Sequence, residues 1–141
     1  MGKPVVHFEV MAKDAGRAQE FYGSLFSWNI NANNPMKYGL VNTGLKKGIN
    51  GGIGQVDRNT RPYTTFYVEV ENPQSYLDRA VSLGGRVVIP VTEIPNMVTF
   101  AQFADPEGNV VGLVKSAQAM RVRAPKPASR KKTGRRQTRR G

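Results

Sequence analysis

The chain has 141 residues, which is the size of one domain and enough to bury a hydrophobic core without covalent cross-links. It contains no cysteine, so disulfides, thiolate metal sites and cysteine nucleophiles are excluded. The formal net charge of +11 is unevenly distributed, because residues 1–120 hold 11 basic and 10 acidic residues, whereas residues 121–141 hold 10 basic and no acidic ones.

The first half of the chain predicts a strand, a helix and two further strands. Residues 4–10 (PVVHFEV) predict the first strand, and Asp14 is a suitable helix N-cap because its carboxylate can accept from a free backbone N–H. Apolar residues at helical spacing then predict a helix that packs on a sheet: Ala15, Ala18, Phe21, Tyr22 and Leu25. Residues 29–35 are rich in turn formers, and residues 38–42 and 49–56 predict two strands.

The second half repeats this order. Residues 64–70 predict a strand, and Asn72-Pro73 predicts a helix start, since proline lacks an N–H that would be unpaired there anyway. Gly84-Gly85 is expected to end this helix. Three more strands are predicted, the last two joined by the turn DPEGN: residues 86–91, 98–104 and 110–114.

A shift of 58 positions aligns the two halves. Three pairs of segments come into register: residues 6–8 with 64–66, 15–30 with 73–88, and 51–54 with 109–112. A fixed internal offset indicates two copies of one supersecondary unit on a shared core. We therefore predict an α+β domain over residues 1–117, in which two βαβββ modules, about residues 4–56 and 63–115, curl around a shared cleft.

Three segments of this pattern resemble the vicinal oxygen chelate superfamily of glyoxalases, bleomycin-resistance proteins and extradiol dioxygenases. They are residues 7–10 (HFEV), residues 21–28 (FYGSLFSW) and residues 105–109 (DPEGN), and the resemblance covers about residues 4–115. It implies paired βαβββ modules and, in many members, a homodimer. In metal-dependent members, it also implies a divalent ion held by residues from the first and last strand of each module.

The internal offset identifies the residues at those four ligand positions. The first-strand positions fall on His7 and Thr65, and the last-strand positions fall on Gly54 and Gly112. Only His7 is a good ligand, whereas a catalytic metal usually needs about three protein ligands. We therefore predict no metal and no cofactor, and a shifted divalent-metal site that uses His7 and Glu9 stays open as an alternative.

The cleft should exist whether or not it holds a metal. Strand parity predicts its lining as His7, Glu9, Tyr38, Thr65, Tyr67 and Phe103. For Tyr38 and Phe103 the alternative is core packing. His7 is either a hydrogen-bonded lining residue or a metal-free general base paired with Glu9, so these two residues are the catalytic candidates.

The resemblance implies two functions for such a cleft. Metal-free members such as the bleomycin-binding proteins sequester a ligand, which implies small-molecule binding of the bleomycin-resistance type. The alternative is a lyase or isomerase that acts on a small carbonyl metabolite.

The basic segment at residues 118–141 supports a separate hypothesis. It has no apolar periodicity, so we expect it to be disordered. It is either a solvated tail with no partner or a non-specific nucleic-acid-binding segment that contacts phosphates through Arg130, Lys131, Lys132, Arg135, Arg136, Arg139 and Arg140. No aromatic residue lies among these cations, so base stacking is not indicated.

The sequence also carries an expectation about location. No N-terminal segment resembles a signal peptide, and no apolar run approaches the roughly 20 residues of a membrane span. We therefore expect a cytoplasmic protein with no membrane partner.

Overall fold

The computed structural model describes residues 1–116, which form one mixed sheet flanked by two helices. The first module comprises β1 (Val5–Ala12), α1 (Ala15–Phe26), β2 (Asn29–Asn31), β3 (Gly39–Asn42) and β4 (Gly51–Gln55). The second comprises β5 (Tyr63–Val70), α2 (Pro73–Ser82), β6 (Arg86–Ile94), β7 (Val98–Ala104) and β8 (Val110–Lys115). The predicted α+β fold of two βαβββ modules is confirmed.

The two modules join edge to edge in a single eight-stranded sheet of order β2-β3-β4-β1-β5-β8-β7-β6. Within the modules, β1 runs parallel to β4 and β5 runs parallel to β8. Between them, β1 and β5 are antiparallel and Phe8 pairs with Phe66. Phe8 and Phe66 are 58 residues apart, so an approximate two-fold axis through this pair relates the two modules. The repeat in the sequence thus appears as two-fold pseudosymmetry in the structure.

The sheet curves strongly enough to bring its distant strands together. Met36, which precedes β3, and Ile89 on β6 line the same cavity as Tyr67 on the central strand β5. Because β3 and β6 lie near opposite ends of the strand order, the sheet must curl around that cavity. The cleft predicted between the modules is therefore present.

Helix α2 packs on the outer face of the sheet. Its Leu77 is 2% exposed and lies in a core cluster with Val70, Ala101 and Leu113. Successive residues of a strand face opposite sides of the sheet. Because Leu113 on β8 faces α2, its neighbour Gly112 faces the cleft.

Helix α1 differs from its predicted packing. Ala15 is its only buried residue, whereas Phe21 and Leu25 from the predicted apolar stripe are each 58% exposed. The aromatic side chains of this helix contact one another instead, with the rings of Phe21 and Tyr22 5.1 Å apart. The stripe therefore packs on the sheet only in part.

Polar side chains fix the predicted ends of the helices and the DPEGN turn. Asp14 Oδ1 accepts from the Arg17 N–H at 3.0 Å, and Asn72 Oδ1 accepts from the Ser75 N–H at 3.2 Å. Asp105 Oδ1 accepts from two backbone N–H groups of its own turn. This closed turn sets the register of β7 against β8, and both helix starts agree with the sequence prediction.

One strand lies where the sequence predicts turns. Residues 29–31 form β2 and pair antiparallel with β3, so that Ile30 lies opposite Val41. The asparagines favour turns locally, but hydrogen bonding to the edge of an existing sheet outweighs that preference. This strand completes the βαβββ order of the first module.

Neither helix described in residues 1–116 has the length and apolar character needed to cross a membrane. The predicted basic segment at residues 118–141 lies outside the described residues.

Candidate functional site

A buried carboxylate lies where the two modules meet. Glu9 on β1 is 5% exposed, and its two oxygens accept hydrogen bonds from two tyrosines. The Tyr38 hydroxyl donates to Oε2 at 2.9 Å, and the Tyr67 hydroxyl donates to Oε1 at 3.2 Å. Tyr38 precedes β3 and Tyr67 lies on β5, so each module contributes one donor.

Each tyrosine is in turn supported by a nitrogen behind it. Gln102 Nε2 on β7 donates to the Tyr67 hydroxyl at 2.8 Å, and His7 Nε2 lies 2.9 Å from the Tyr38 hydroxyl. A hydroxyl has one proton to donate, so when Tyr38 donates to Glu9 it must accept from His7. The His7 proton then resides on Nε2, and both hydrogen-bond chains are polarised towards the carboxylate.

Burial shifts the pKa values of these groups away from their ordinary range. Desolvation raises the pKa of the Glu9 carboxyl, an effect that the hydrogen bonds from Tyr38 and Tyr67 oppose. Desolvation lowers the pKa of His7 from 6.5 to about 4. Burial and the Glu9 charge raise the pKa of both tyrosines. At neutral pH the imidazole is therefore uncharged.

A cavity of about 130 Å³ opens beside Glu9. Its lining consists of four aromatic rings, three methionines, three aliphatic residues and two polar side chains: Tyr38, Tyr63, Tyr67, Phe100, Met11, Met36, Met97, Ile89, Ile94, Val98, Glu9 and Gln102. Met36 is 57% exposed and lies at the mouth of the cavity. The walls are thus mostly apolar, with polar groups concentrated at the Glu9 network.

Two glycines make room for the tyrosine rings. Glu9 pairs with Gly52 on β4, and Tyr67 pairs with Gly112 on β8. A Cβ atom at Gly52 would overlap the ring of Tyr38, and one at Gly112 would overlap the ring of Tyr67. Each ring can approach the last strand of its module this closely because the strand lacks a side chain at that position.

The strand pairing places the predicted last-strand ligand position of the first module at Gly52 instead of Gly54. Glu9 and Tyr67 are equivalent residues of the two modules, and their parallel-strand partners are Gly52 and Gly112. The offset between the modules is therefore 58 residues on the first strand and 60 residues on the last. Gly54 also lies beneath Tyr38, whose Cδ1 would be 2.8 Å from an added Cβ. Neither glycine offers a ligand, so the predicted donor set is unchanged.

The residues at the four ligand positions do not fit a divalent metal ion. His7 Nε2 is engaged with Tyr38, and the Thr65 hydroxyl donates to the Val110 carbonyl at 2.6 Å. Tyrosine rings fill the space at the two glycine positions. The shifted site at His7 and Glu9 fits no better, because the Tyr38 hydroxyl bridges the two residues, and within residues 1–116 no group of three His, Asp or Glu side chains is arranged to hold a metal.

The structure brings half of the predicted lining residues to the cavity. Glu9, Tyr38 and Tyr67 line it, whereas His7 and Thr65 are buried but are not among its lining residues. The placement of Phe103 in the cleft is wrong, because its side chain packs against the cluster beneath α2. On β7, Phe100 and Gln102 face the cavity while Phe103 faces α2, so the facing residues differ from the prediction by one position.

Sequence reasoning missed Gln102, although a signal for it exists. The DPEGN hairpin pairs Ala104 with Val110 and therefore Gln102 with Gly112. Since Gly112 was assigned to the cleft, its cross-strand partner belongs on the same face. Met11 follows His7 and Glu9 at alternate positions of β1, so parity also indicates it, whereas Met36 lies on a loop that parity does not govern.

Comparisons with known proteins agree with this architecture. The sequence profile of a glyoxalase-like domain matches residues 6–114. A glyoxylase-like domain-containing protein from Didymella fabae is 26% identical over 108 residues, which span 72% of this chain and 84% of that protein.

Two solved structures share the fold at low sequence identity. A glyoxalase/bleomycin resistance protein/dioxygenase superfamily member from Vibrio splendidus is 14% identical with a TM-score of 0.54, covering 82% of this chain and 100% of that one. Methylmalonyl-CoA epimerase from Mycobacterium tuberculosis is 15% identical with a TM-score of 0.57, covering 80% of this chain and 87% of that one. At these identities the likeness concerns the fold alone.

The single histidine of the chain makes the network directly testable by NMR. We expect the His7 imidazole to stay neutral until the pH falls to about 4, because its burial penalises the charged form. The stability that His7 contributes should be present above pH 6.5 and decline as the pH falls from 6.5 towards 4, where only the unfolded state binds the proton. Imidazole nitrogen shifts recorded against pH measure this, with the urea-unfolded chain as control. A native midpoint near 6.5 would contradict the buried network.

The glycine and tyrosine packing predicts a position-specific loss of stability. Gly112→Ala should lower the free energy of unfolding by about 1–3 kcal/mol, because the added methyl overlaps the buried ring of Tyr67. Gly16→Ala is the matched control, since the nearest atom to its added Cβ is 3.7 Å away, and it should change stability by less than about 1 kcal/mol. Urea denaturation compares the two, and equal effects would argue against close packing at Gly112.

Proposed function

The chain belongs to the glyoxalase-like domain family, within the vicinal oxygen chelate superfamily that its sequence resembles, and we propose that it binds a small organic molecule in its cleft without a divalent metal ion. One observation carries this proposal. The rings of Tyr38 and Tyr67 lie over Gly52 and Gly112, where metal-dependent members place a ligand, and their hydroxyls hold a carboxylate at the cavity wall. The cleft therefore has an ordered polar centre of its own.

The cavity has the composition of a small-molecule site. Such sites are mostly apolar and use a few fixed polar groups to orient the ligand. Here the fixed group is Glu9, whose position is set by two hydrogen bonds, while the three methionines of the lining can adapt to ligands of different shape. Sequestering a ligand needs no further chemistry, which favours a role of the bleomycin-resistance type.

A compound screen by thermal shift tests metal-independent binding. Compounds that raise the melting temperature should do so equally in excess EDTA and in added divalent ions. Tyr67→Phe should weaken their binding about tenfold, because it removes a hydrogen bond to the Glu9 carboxylate. Tyr76→Phe on α2, which lies outside the cavity lining, is the matched control and should leave affinity unchanged. Binding that EDTA abolishes and a divalent ion restores would refute the proposal.

The second candidate function is a lyase or isomerase acting on a small carbonyl metabolite. It is favoured by the position of Glu9 at the cavity wall, where burial raises the pKa of its carboxyl, because such a group is suited to proton transfer at a carbon next to a carbonyl. His7 would then position Tyr38 and so Glu9, without contacting the substrate. Exchange of the substrate's α-proton in D₂O, lost in Glu9→Gln, would favour this function over simple binding.

The basic segment at residues 118–141 supports an independent proposal of non-specific nucleic-acid binding. Ten lysines and arginines with no acidic residue between positions 121 and 141 favour contact with phosphates. The remaining 120 residues are close to neutral, so the charge is confined to one end of the sequence.

Removal of residues 121–141 should separate the two proposed activities. The full chain is expected to bind duplex DNA or RNA with a log–log salt slope of about −4 to −5 if five cations neutralise phosphates. The shortened chain should lose this binding and retain the affinity of its cleft for small molecules. Fluorescence anisotropy over a range of salt concentrations measures the slope, and tight nucleic-acid binding by the shortened chain would assign it to the folded domain instead.

Two further features are proposed from the sequence and the family alone. We expect a homodimer, as in many members of the superfamily, and a cytoplasmic location. Sedimentation equilibrium and cell fractionation test them.

A further inference from the structure

Within residues 1–116, the lining of the cavity beside Glu9 contains one carboxyl group and neither lysine nor arginine. His7 adds no positive charge at neutral pH, because burial lowers its pKa to about 4. Both oxygens of Glu9 accept from tyrosine hydroxyls, an arrangement that suits the ionised carboxylate, and buried charges in proteins are generally paired with a group of opposite charge.

Aromatic rings surround the same space. Tyr38, Tyr63, Tyr67 and Phe100 all line the cavity. The ring centroids of Tyr67 and Phe100 are 6.4 Å apart and the ring planes are inclined at 62°, so the two rings form adjoining walls of the cavity. Ring faces carry negative partial charge and attract a cation placed within about 6 Å, most strongly where water is excluded.

We propose that this cavity selects a small organic cation of the alkylammonium class over neutral or anionic molecules of the same shape. The inference rests on the proposed function, because it assigns a charge to the ligand of the cleft described above. It follows from a single juxtaposition, namely four aromatic rings and a carboxyl group that has no basic neighbour among residues 1–116, all around one apolar cavity.

The size of the cavity sets the size of the cation. Its volume of about 130 Å³ is close to that of an engineered protein cavity of about 150 Å³ that binds benzene. A trimethylammonium group with a short substituent has comparable bulk. An ionised carboxylate offers about four acceptor sites, and Tyr38 and Tyr67 use two of them, which leaves acceptor capacity for a polar substituent on the ligand.

Three probes of one shape and different charge test the inference. Choline is the cation, 3,3-dimethylbutan-1-ol is its neutral isostere and 3,3-dimethylbutyrate is an anion of similar bulk. Calorimetric titration of the full chain should give at least tenfold tighter binding of choline than of the alcohol, and no binding of the butyrate. Shifts of tyrosine ring resonances on titration place the probe in the cavity.

Two variants assign the preference to its cause. Glu9→Gln should reduce the ratio of choline to alcohol affinity towards one, because the charge is lost while the shape is retained. Should this variant fail to fold, Phe100→Leu tests the same point from the aromatic side, since it removes one ring outside the Glu9 hydrogen bonds. It should weaken choline several-fold and leave the alcohol nearly unchanged.

The result that overturns this inference differs from the one that overturns the proposed function. Equal or tighter binding of the alcohol by the wild-type chain refutes cation selection and leaves small-molecule binding intact. Binding of none of the three probes also refutes it. Small-molecule binding fails as well only if the wider compound screen produces no ligand that perturbs the cavity tyrosines.

Discussion

The carboxylate of Glu9 is buried at the seam between the two modules, and each of its oxygens accepts one hydrogen bond from a tyrosine. An uncompensated charge in such a place would be costly, so its stability requires donors within hydrogen-bond reach. Tyr38 and Tyr67 provide them, one from each module, and Gly52 and Gly112 leave room for their rings. The absence of two side chains thus allows the polar centre to form.

The internal repeat explains how this centre arises and why it is asymmetric. Glu9 and Tyr67 occupy equivalent positions in the two modules, 58 residues apart, and they hydrogen-bond to each other. Likewise His7 corresponds to Thr65, and the two support different neighbours. The first module therefore supplies the carboxylate, and the second supplies a hydroxyl that donates to it. As a result, the two equivalent strands form a site that is acidic on one side only.

Much of the fold could be predicted because its signals are local or repeated. Helix caps at Asp14 and Asn72, the DPEGN turn and the 58-residue offset each have a physical reading in the sequence. The site could be predicted only in part. Glu9 and Tyr67 follow from parity on long strands, but Phe103 failed because one residue reverses a strand face, and Met36 reaches the cavity from a loop.

The most direct test of the account is the metal content of the purified full-length chain. Elemental analysis after growth in metal-supplemented medium should find Zn, Ni, Mn and Fe far below one equivalent, in both wild type and His7→Ala. This follows because the Tyr38 and Tyr67 rings fill the positions from which a last-strand ligand would reach an ion. One equivalent of a divalent metal in the wild type, lost in His7→Ala, would contradict it.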